Sequence, residues 1–373
     1  MECRGILYET FFIIIKNVLW GHEENIPEDF DQWQQLVKLA KSHSVMGYVA
    51  KYLLQRRKFN DQDSADLRIK LKSFVVSSAM TAERLSKVLV EVVEVLKEGG
   101  ISPVLLKGPG LAQYYAIPEL RQSGDIDLYV GKDAYAASHL LLTKKYGAQT
   151  SENIWEDKHF SVIVNDIEIE IHRLCDEHFS RKINNVLQKY ADEGLNSSLS
   201  VFSIKGVDVD TPEDTFNAFY IFYHLYRHFM TGGVGLRQLC DWGVFLERKR
   251  RSIDRTKLKQ IIDEMDMVRA WQDFGELLVV YLGMNPQCLP YRNENISSRR
   301  LDIIMERILS EGNFGFERSY FKKRSENYLL NKVVSLFRHM ARFLQLFRLY
   351  PLSAYWYMMY FMRNAMSKFL KLK

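Results

Sequence analysis

The spacing of apolar positions divides the chain into helical, strand-rich and again helical stretches. Over residues 1–98 apolar side chains recur every three or four positions, the period of a helix with one buried face. Phe30, Trp33, Leu36, Val37 and Ala40 form one such stripe, predicting a helix over Asp29–Ala40. A long helix is expected from about Ser64 to Lys97, with Val88, Val92, Val95 and Leu96 apolar and Gly99-Gly100 as its stop. Phe11-Phe12-Ile13-Ile14-Ile15 reads as part of a buried first helix. Glu9 and Lys16 bracket it and no small-residue cleavage site follows, which argues against a signal peptide.

Short strands are predicted next, at 103–106, 125–130, 159–164 and 167–171, with two more near 200–204 and 207–209. Helices near 132–146 and 180–190 interleave with them. The alternation in 167–172 is strict: Ile167, Ile169 and Ile171 take one face, and Glu168, Glu170 and His172 the other. Asn165-Asp166 is a hairpin turn between two apolar runs. From Thr211 the pattern is helical again, with Thr211 expected as N-cap and Pro212 in the first helical position. Helices should run to about 248, then over 254–264, 267–282, 297–310 and 325–348. The predicted class is α+β, a mixed sheet flanked by helical segments. The predicted division is 1–98 helical, 99–210 catalytic core, 211–317 helical, and 318–373 a basic, aromatic-rich helical tail.

The candidate chemistry lies in the strand-rich part. Val104-Leu105-Leu106-Lys107-Gly108-Pro109-Gly110 reads as strand, glycine turn and short helix. The run Arg121-Gln122-Ser123-Gly124-Asp125-Ile126-Asp127 leads into a second strand. Asp125 and Asp127 share one face of it, ~7 Å apart along the strand. Two carboxylates that close repel unless a cation stands between them, and hard oxygen ligands suit Mg2+ or Mn2+. Glu170 on the alternating strand is the expected third acid.

Together, Lys107-Gly108, the Arg121…Asp127 run and Glu170-Ile171-His172 resemble the DNA polymerase β-type nucleotidyltransferase superfamily. They most resemble its bacterial branch described only as uncharacterised nucleotidyltransferase. The resemblance includes His224…His228 and Arg237…Asp241 in the following helices, and it covers about residues 103–243. It implies a polymerase β-like core and three metal ligands, Asp125, Asp127 and Glu170, which are also the catalytic residues. It implies nucleotide binding by Lys107, Gly108, Gly110, Arg121 and Gly124. It places Glu168, His172, His224, His228, Arg237 and Asp241 around the cleft. Pro109 stands where the superfamily commonly has Ser or Gly, so phosphate binding is expected to fall to the amides around Gly110, the helix start and Lys107.

Several of these residues also have plainer readings. Lys107 can be a strand-end lysine. Arg121 can pair with Asp125 or Asp127 as readily as meet a phosphate. His224 and His228, one turn apart, have the spacing of a metal pair but no evident third ligand. Arg237 and Asp241 can be an ordinary i, i+4 ion pair. Tyr355-Trp356-Tyr357 and Tyr360-Phe361 suit helix packing.

Charge changes the picture only at the end of the chain. The net charge is +5, yet residues 318–373 carry twelve Lys or Arg and one acid, Glu326. Such a tail is a candidate surface for nucleic acid or anionic lipid. Arg248–Arg251 is expected to be a solvated run at a helix end. Cys3, Cys175, Cys240 and Cys288 are scattered, as in a reduced cytoplasmic protein. The uncharged run from Leu349 to Met362 contains Pro351 and is too short to span a membrane.

The expected reaction is transfer of a nucleoside monophosphate from a nucleoside triphosphate such as ATP to a hydroxyl on a protein, an RNA or a small molecule. The alternatives are a non-catalytic nucleotide- or partner-binding relative, antitoxin-like, and a nucleotide-sugar glycosyltransferase.

Overall fold

The structure is a computed structural model that describes residues 5–56, 62–147, 158–313 and 328–370. Four helices come first: α1 (Ile6–Trp20), α2 (Trp33–Ser42), α3 (Met46–Arg56) and the 37-residue α4 (Gln62–Glu98). α4 stops where its glycines require. Gly100 adopts φ +76°, and Ile101 N–H reaches back to Leu96 O at 2.9 Å. Cys3 and the boundary expected at 317/318 lie outside the described residues.

Six strands then build one mixed sheet in the order β3-β4-β2-β1-β6-β5. They are β1 (Val104–Leu105), β2 (Asp125–Tyr129), β3 (His159–Val164), β4 (Ile167–His172), β5 (Ser200–Ile204) and β6 (Val207–Thr211). The short α5 (Pro109–Ala112), α6 (Gly131–Tyr146) and α7 (Arg181–Asn196) lie between them. β2 runs parallel to β4, while β3–β4 and β1–β2 are antiparallel. Asn165 and Asp166 both take positive φ, 51° and 62°, and make the β3–β4 turn as the sequence predicts.

One face of the sheet is dry. Ile126, Leu128, Ile169 and Ile171 pack there against Leu89, Val92 and Leu96 of α4 and Tyr135 and Leu142 of α6. Burial of branched side chains on a pleated surface fixes the strand register, since a slip of one residue would turn every side chain over. It therefore also fixes the acids of β2 and β4 on the opposite face.

That opposite face meets helices α8 (Asp214–Thr231) and α9 (Leu236–Lys249), followed by α10 (Arg255–Glu264), α11 (Val268–Val280) and α12 (Ser298–Glu311). Their core is aromatic: Trp242 and Trp271 meet edge to face at 4.8 Å, and Phe222 packs on both. The last described residues form two helices, α13 (Tyr328–Leu349) and α14 (Pro351–Leu370). No helix among the described residues is long and apolar enough to cross a membrane.

Some details differ from the sequence reading. The helix expected from Asp29 starts at Trp33, because Phe30 closes a turn onto Pro27 O and packs edge-on against Trp33 at 4.7 Å. Thr211 is the last residue of β6 rather than a cap. Glu213 caps α8, accepting from Thr215 N and Phe216 N at 2.9 and 3.0 Å. The stretch expected to be helical to about 248 holds two helices, α8 and α9, parted at Gly232-Gly233, where Gly233 has φ +110°. Arg248–Arg251 is not simply solvated: Lys249 pairs with Asp214 at 3.0 Å and Arg248 donates to Tyr114 O. Pro351, read as an interruption, is the first residue of α14. Cys175, Cys240 and Cys288 are buried free thiols, and Tyr357 packs in the core.

Candidate active site

The acids converge because of strand pairing. In the parallel β2–β4 ladder Asp127 is the register partner of Glu170, and Asp125 that of Glu168. In the antiparallel β3–β4 ladder His159 is opposite His172. Side chains at matched positions stand on the same face. Asp127, Glu170, His172 and His159 therefore cluster: His172 Nε2 is 3.0 Å from Asp127 Oδ1 and 3.1 Å from Glu170 Oε2, and His159 Nε2 is 3.7 Å from Glu170 Oε1. Asp125 lies one pleat away on the same face. Glu168 is exposed at the outer end of β4.

Lys107 enters from the end of β1. The turn behind it needs Gly108, which has φ +61° and whose Cβ, were there one, would meet Asp125 O at 2.9 Å. Lys107 Nζ lies 3.0 Å from Asp127 Oδ1 and 3.4 Å from His224 Nε2. The cation that relieves the aspartate repulsion in this arrangement is thus a protein ammonium. Gly110 is closely packed: its N–H bonds Lys107 O, and an added Cβ would press on Leu105.

The run before Asp125 is clamped from the helices. Arg121 forms a two-pronged pair with Asp241, Nε to Oδ1 and Nη2 to Oδ2 both at 2.8 Å, and Tyr115 Oη donates to the same carboxylate. Arg121 therefore contacts neither Asp125 nor Asp127. Nor do Arg237 and Asp241 pair as i, i+4 neighbours: Arg237 donates to Gln122 O. Gln122 Oε1 in turn accepts from Met46 N. Gly124 is exposed, with open space at its Cα.

The helical side adds a second polar chain. His224 and His228 of α8 touch through Nε2 atoms 3.0 Å apart. His224 Nδ1 lies 3.6 Å from Asp176, a fully buried acid that also pairs with Lys158 and Arg227. Between sheet and helices remains a narrow cavity of about 50 Å³. Lys107, Asp125, Asp127, His224, Arg237 and Asp241 are among its walls. A larger groove of about 910 Å³ lies elsewhere, between α12 and α13, away from the acids.

Charge states follow from this packing. Burial works against ionised Asp127, but Lys107, His172 and His224 outweigh it and hold the carboxyl well below its usual range. Asp125 goes the other way, raised by burial and by the neighbouring Asp127 charge, with Lys107 and Arg237 opposing. Burial alone would lower Lys107 and His172. The acids around them raise both, Asp127, Asp125 and Glu170 in the first case and Asp127 and Glu170 in the second. Burial and the Lys107 charge push His224 down to about 4.

The donor set fits a divalent cation. His159, Glu170 and His172 offer ligand atoms all within 4.8 Å of one another, and Asp127 adjoins them. Such separations can surround a first-row ion without backbone movement.

A family model described as "uncharacterised nucleotidyltransferase" matches residues 29–283, more than half of the chain. The chain belongs to that family. No curated protein and no solved structure matches. In this nucleotidyltransferase-family chain the matched span takes in every acid and histidine of the candidate site, together with α2, α3 and α4.

Sequence reading alone missed four residues of the cluster. His159 sat on an apolar run with no motif around it; only the β3–β4 register brings it to Glu170. Asp176, Arg227 and Lys158 form the buried chain behind His224. Arg227 carried a signal, one residue from His228 on a helix whose neighbours are nearly all apolar.

Proposed function

We propose that the protein is a metal-dependent nucleotidyltransferase with a polymerase β-like core over residues 99–210 between helical segments at 1–98 and 211–317. It moves a nucleoside monophosphate from a nucleoside triphosphate, such as ATP, to a hydroxyl acceptor. The observation that carries this is the register of Asp127 with Glu170, with Asp125 on the same face and Lys107 against them. Asp125, Asp127 and Glu170 would hold Mg2+ or Mn2+, with His172 and His159 beside them. A metal ion bound there supplies positive charge to the reacting phosphate oxygens and acidifies the attacking hydroxyl. Lys107, released from Asp127, reaches toward the terminal phosphates as a point charge. Arg121 and Asp241 position the Asp125 strand, and Arg237 faces Asp125 across the cleft. The basic tail binds polyanions weakly, and the protein works in a bacterial cytoplasm.

A second reading is nucleotide or partner binding without transfer. Its support is that Lys107 already sits on Asp127 at 3.0 Å; the cavity of about 50 Å³, well below the ~300 Å³ of small-molecule sites, must widen for a nucleotide in either reading. The reacting state requires Lys107 and the α8–α9 face to give way. One experiment separates the two readings. Each labelled nucleoside triphosphate is incubated with the protein, Mg2+ or Mn2+, and cell lysate as acceptor pool. Transfer predicts a labelled product that disappears with Asp125→Ala/Asp127→Ala. Retained nucleotide with no product from any triphosphate rules transfer out.

A further inference from the structure

The α13–α14 hairpin has two unlike sides. Its inner side is built into the protein: Leu346, Leu349, Tyr350, Ala354 and Tyr357 are buried. Arg342 is buried as well, pairing with Glu311 at 3.2 Å and donating to Met230 O at 2.6 Å. Phe179, from the loop after β4, packs on Tyr357 and Tyr360 at 5.5 Å.

The outer side carries apolar side chains at the same spacing on both helices. On α13 these are Phe337, Met340, Leu344 and Phe347, with Phe337 69% and Leu344 59% exposed. On α14 they are Leu352, Tyr355, Met359 and Met362, with Met359 48% exposed. Intervals of three, four and three residues make each row a single helical stripe. Scattered exposed apolar residues are ordinary; two matched rows on adjacent, packed helices are not. Exposed Arg338, Arg348 and Arg363 accompany the rows, and no Asp or Glu follows Glu326 in the chain.

We propose that this face of the hairpin docks on an anionic lipid surface, the apolar rows entering the headgroup boundary and the cations meeting lipid phosphates. An apolar face with cationic surroundings is the pattern of a helix lying in a membrane interface. Neither helix can cross, since no described helix is apolar enough. Nucleic acid fits less well, because a phosphate-tracking face presents cations where this one presents Phe, Leu and Met. A second copy of the chain fits less well, because docking would bring two tails of like charge together.

The test uses the full-length protein with vesicles of phosphatidylcholine alone and vesicles containing phosphatidylglycerol, in flotation at low and moderate salt. Binding is expected to the phosphatidylglycerol vesicles, weakening with salt. Leu344→Glu/Met359→Glu should bind about tenfold less or worse, with unchanged circular dichroism and melting temperature because both positions are exposed. Leu352→Glu/Met362→Glu, on the α14 row alone, is the second variant should the first misfold. Three results would overturn the proposal: no binding to phosphatidylglycerol vesicles at low salt, binding that neither variant weakens, or a dimer in light scattering that the variants dissolve.

Discussion

Lys107 Nζ stands 3.0 Å from Asp127 Oδ1, on the carboxylate that a bound divalent cation would need. The two cations therefore compete for one anion. In Lys107→Met the competitor is gone and a buried carboxylate loses its closest positive partner. Without metal, the variant should be less stable by about 2 kcal/mol, and Mn2+ should restore its melting temperature. Calorimetry without nucleotide should show Mn2+ binding strengthened by about tenfold. Transfer should nevertheless fall, since the same ammonium is needed on the triphosphate. Weaker Mn2+ binding in the variant would show that Lys107 helps hold the metal rather than excluding it.

Glu170 and Glu168 test the strand assignment. They sit two residues apart on one strand, but only Glu170 is in register with Asp127 and touches His172. Glu170→Gln should lower nucleotidyl transfer by roughly a hundredfold or more, with triphosphate affinity changed less. Glu168→Gln should be mild. The opposite ranking in single-turnover assays would place the metal at the outer end of β4.

His159 and His172 put nitrogen ligands beside the acids, and imidazole suits Mn2+ or Zn2+ better than Mg2+. Wild-type protein should bind Mn2+ more tightly than Mg2+. His159→Ala should weaken Mn2+ by about tenfold and leave Mg2+ nearly unchanged. Equal loss for both ions, measured by calorimetry, would mean that His159 acts only on the shape of the sheet.

The acids and their spacing were legible because they obey local rules: alternation along β4, a two-residue step on β2, a glycine turn before Lys107. Element positions followed from periodicity for the same reason, with α4 and the β3–β4 hairpin the clearest. What the sequence hid was pairing across distance. Arg121 reads as a partner for Asp125 or Asp127, yet it reaches Asp241, 120 residues away. Arg237 and Asp241 have the spacing of an ion pair, yet each is taken by a different partner. His159 became visible only through a strand register.

The Arg121–Asp241 pair is nearly dry on both sides and ties the run before β2 to α9. Asp241→Asn should leave the guanidinium without its countercharge and cost about 3 kcal/mol in urea unfolding. Arg121→Met/Asp241→Leu should cost less than Asp241→Asn, because neither charge then remains buried. A double variant less stable than the single would mean that the pair's net contribution is favourable and large.

Acid sensitivity should come from histidines that the fold keeps neutral. Burial pushes His43 down to about 4, with the Leu309 backbone opposing, and it pushes His178 to about 4 as well. In the unfolded chain both protonate near 6.5. Between those values the unfolded state binds more protons, so stability falls as pH drops from 6.5 toward 4, by roughly 3 kcal/mol per fully buried histidine. His172 runs the other way: Asp127 and Glu170 raise it, so its contribution is present at low pH and fades as pH rises through its folded value. The net slope is therefore smaller than the sum over neutral histidines. His43 isolates one contribution, since its Nδ1 accepts Leu236 N–H at 3.2 Å and it lies away from the acid cluster. His43→Asn keeps an acceptor near that position and removes the titration. Chemical unfolding at pH 6.5, 5.5 and 4.5 should show the variant losing less stability than wild type across the series, even where its absolute stability is lower. Parallel slopes in the two proteins would place the acid sensitivity in the remaining histidines or in the carboxylates.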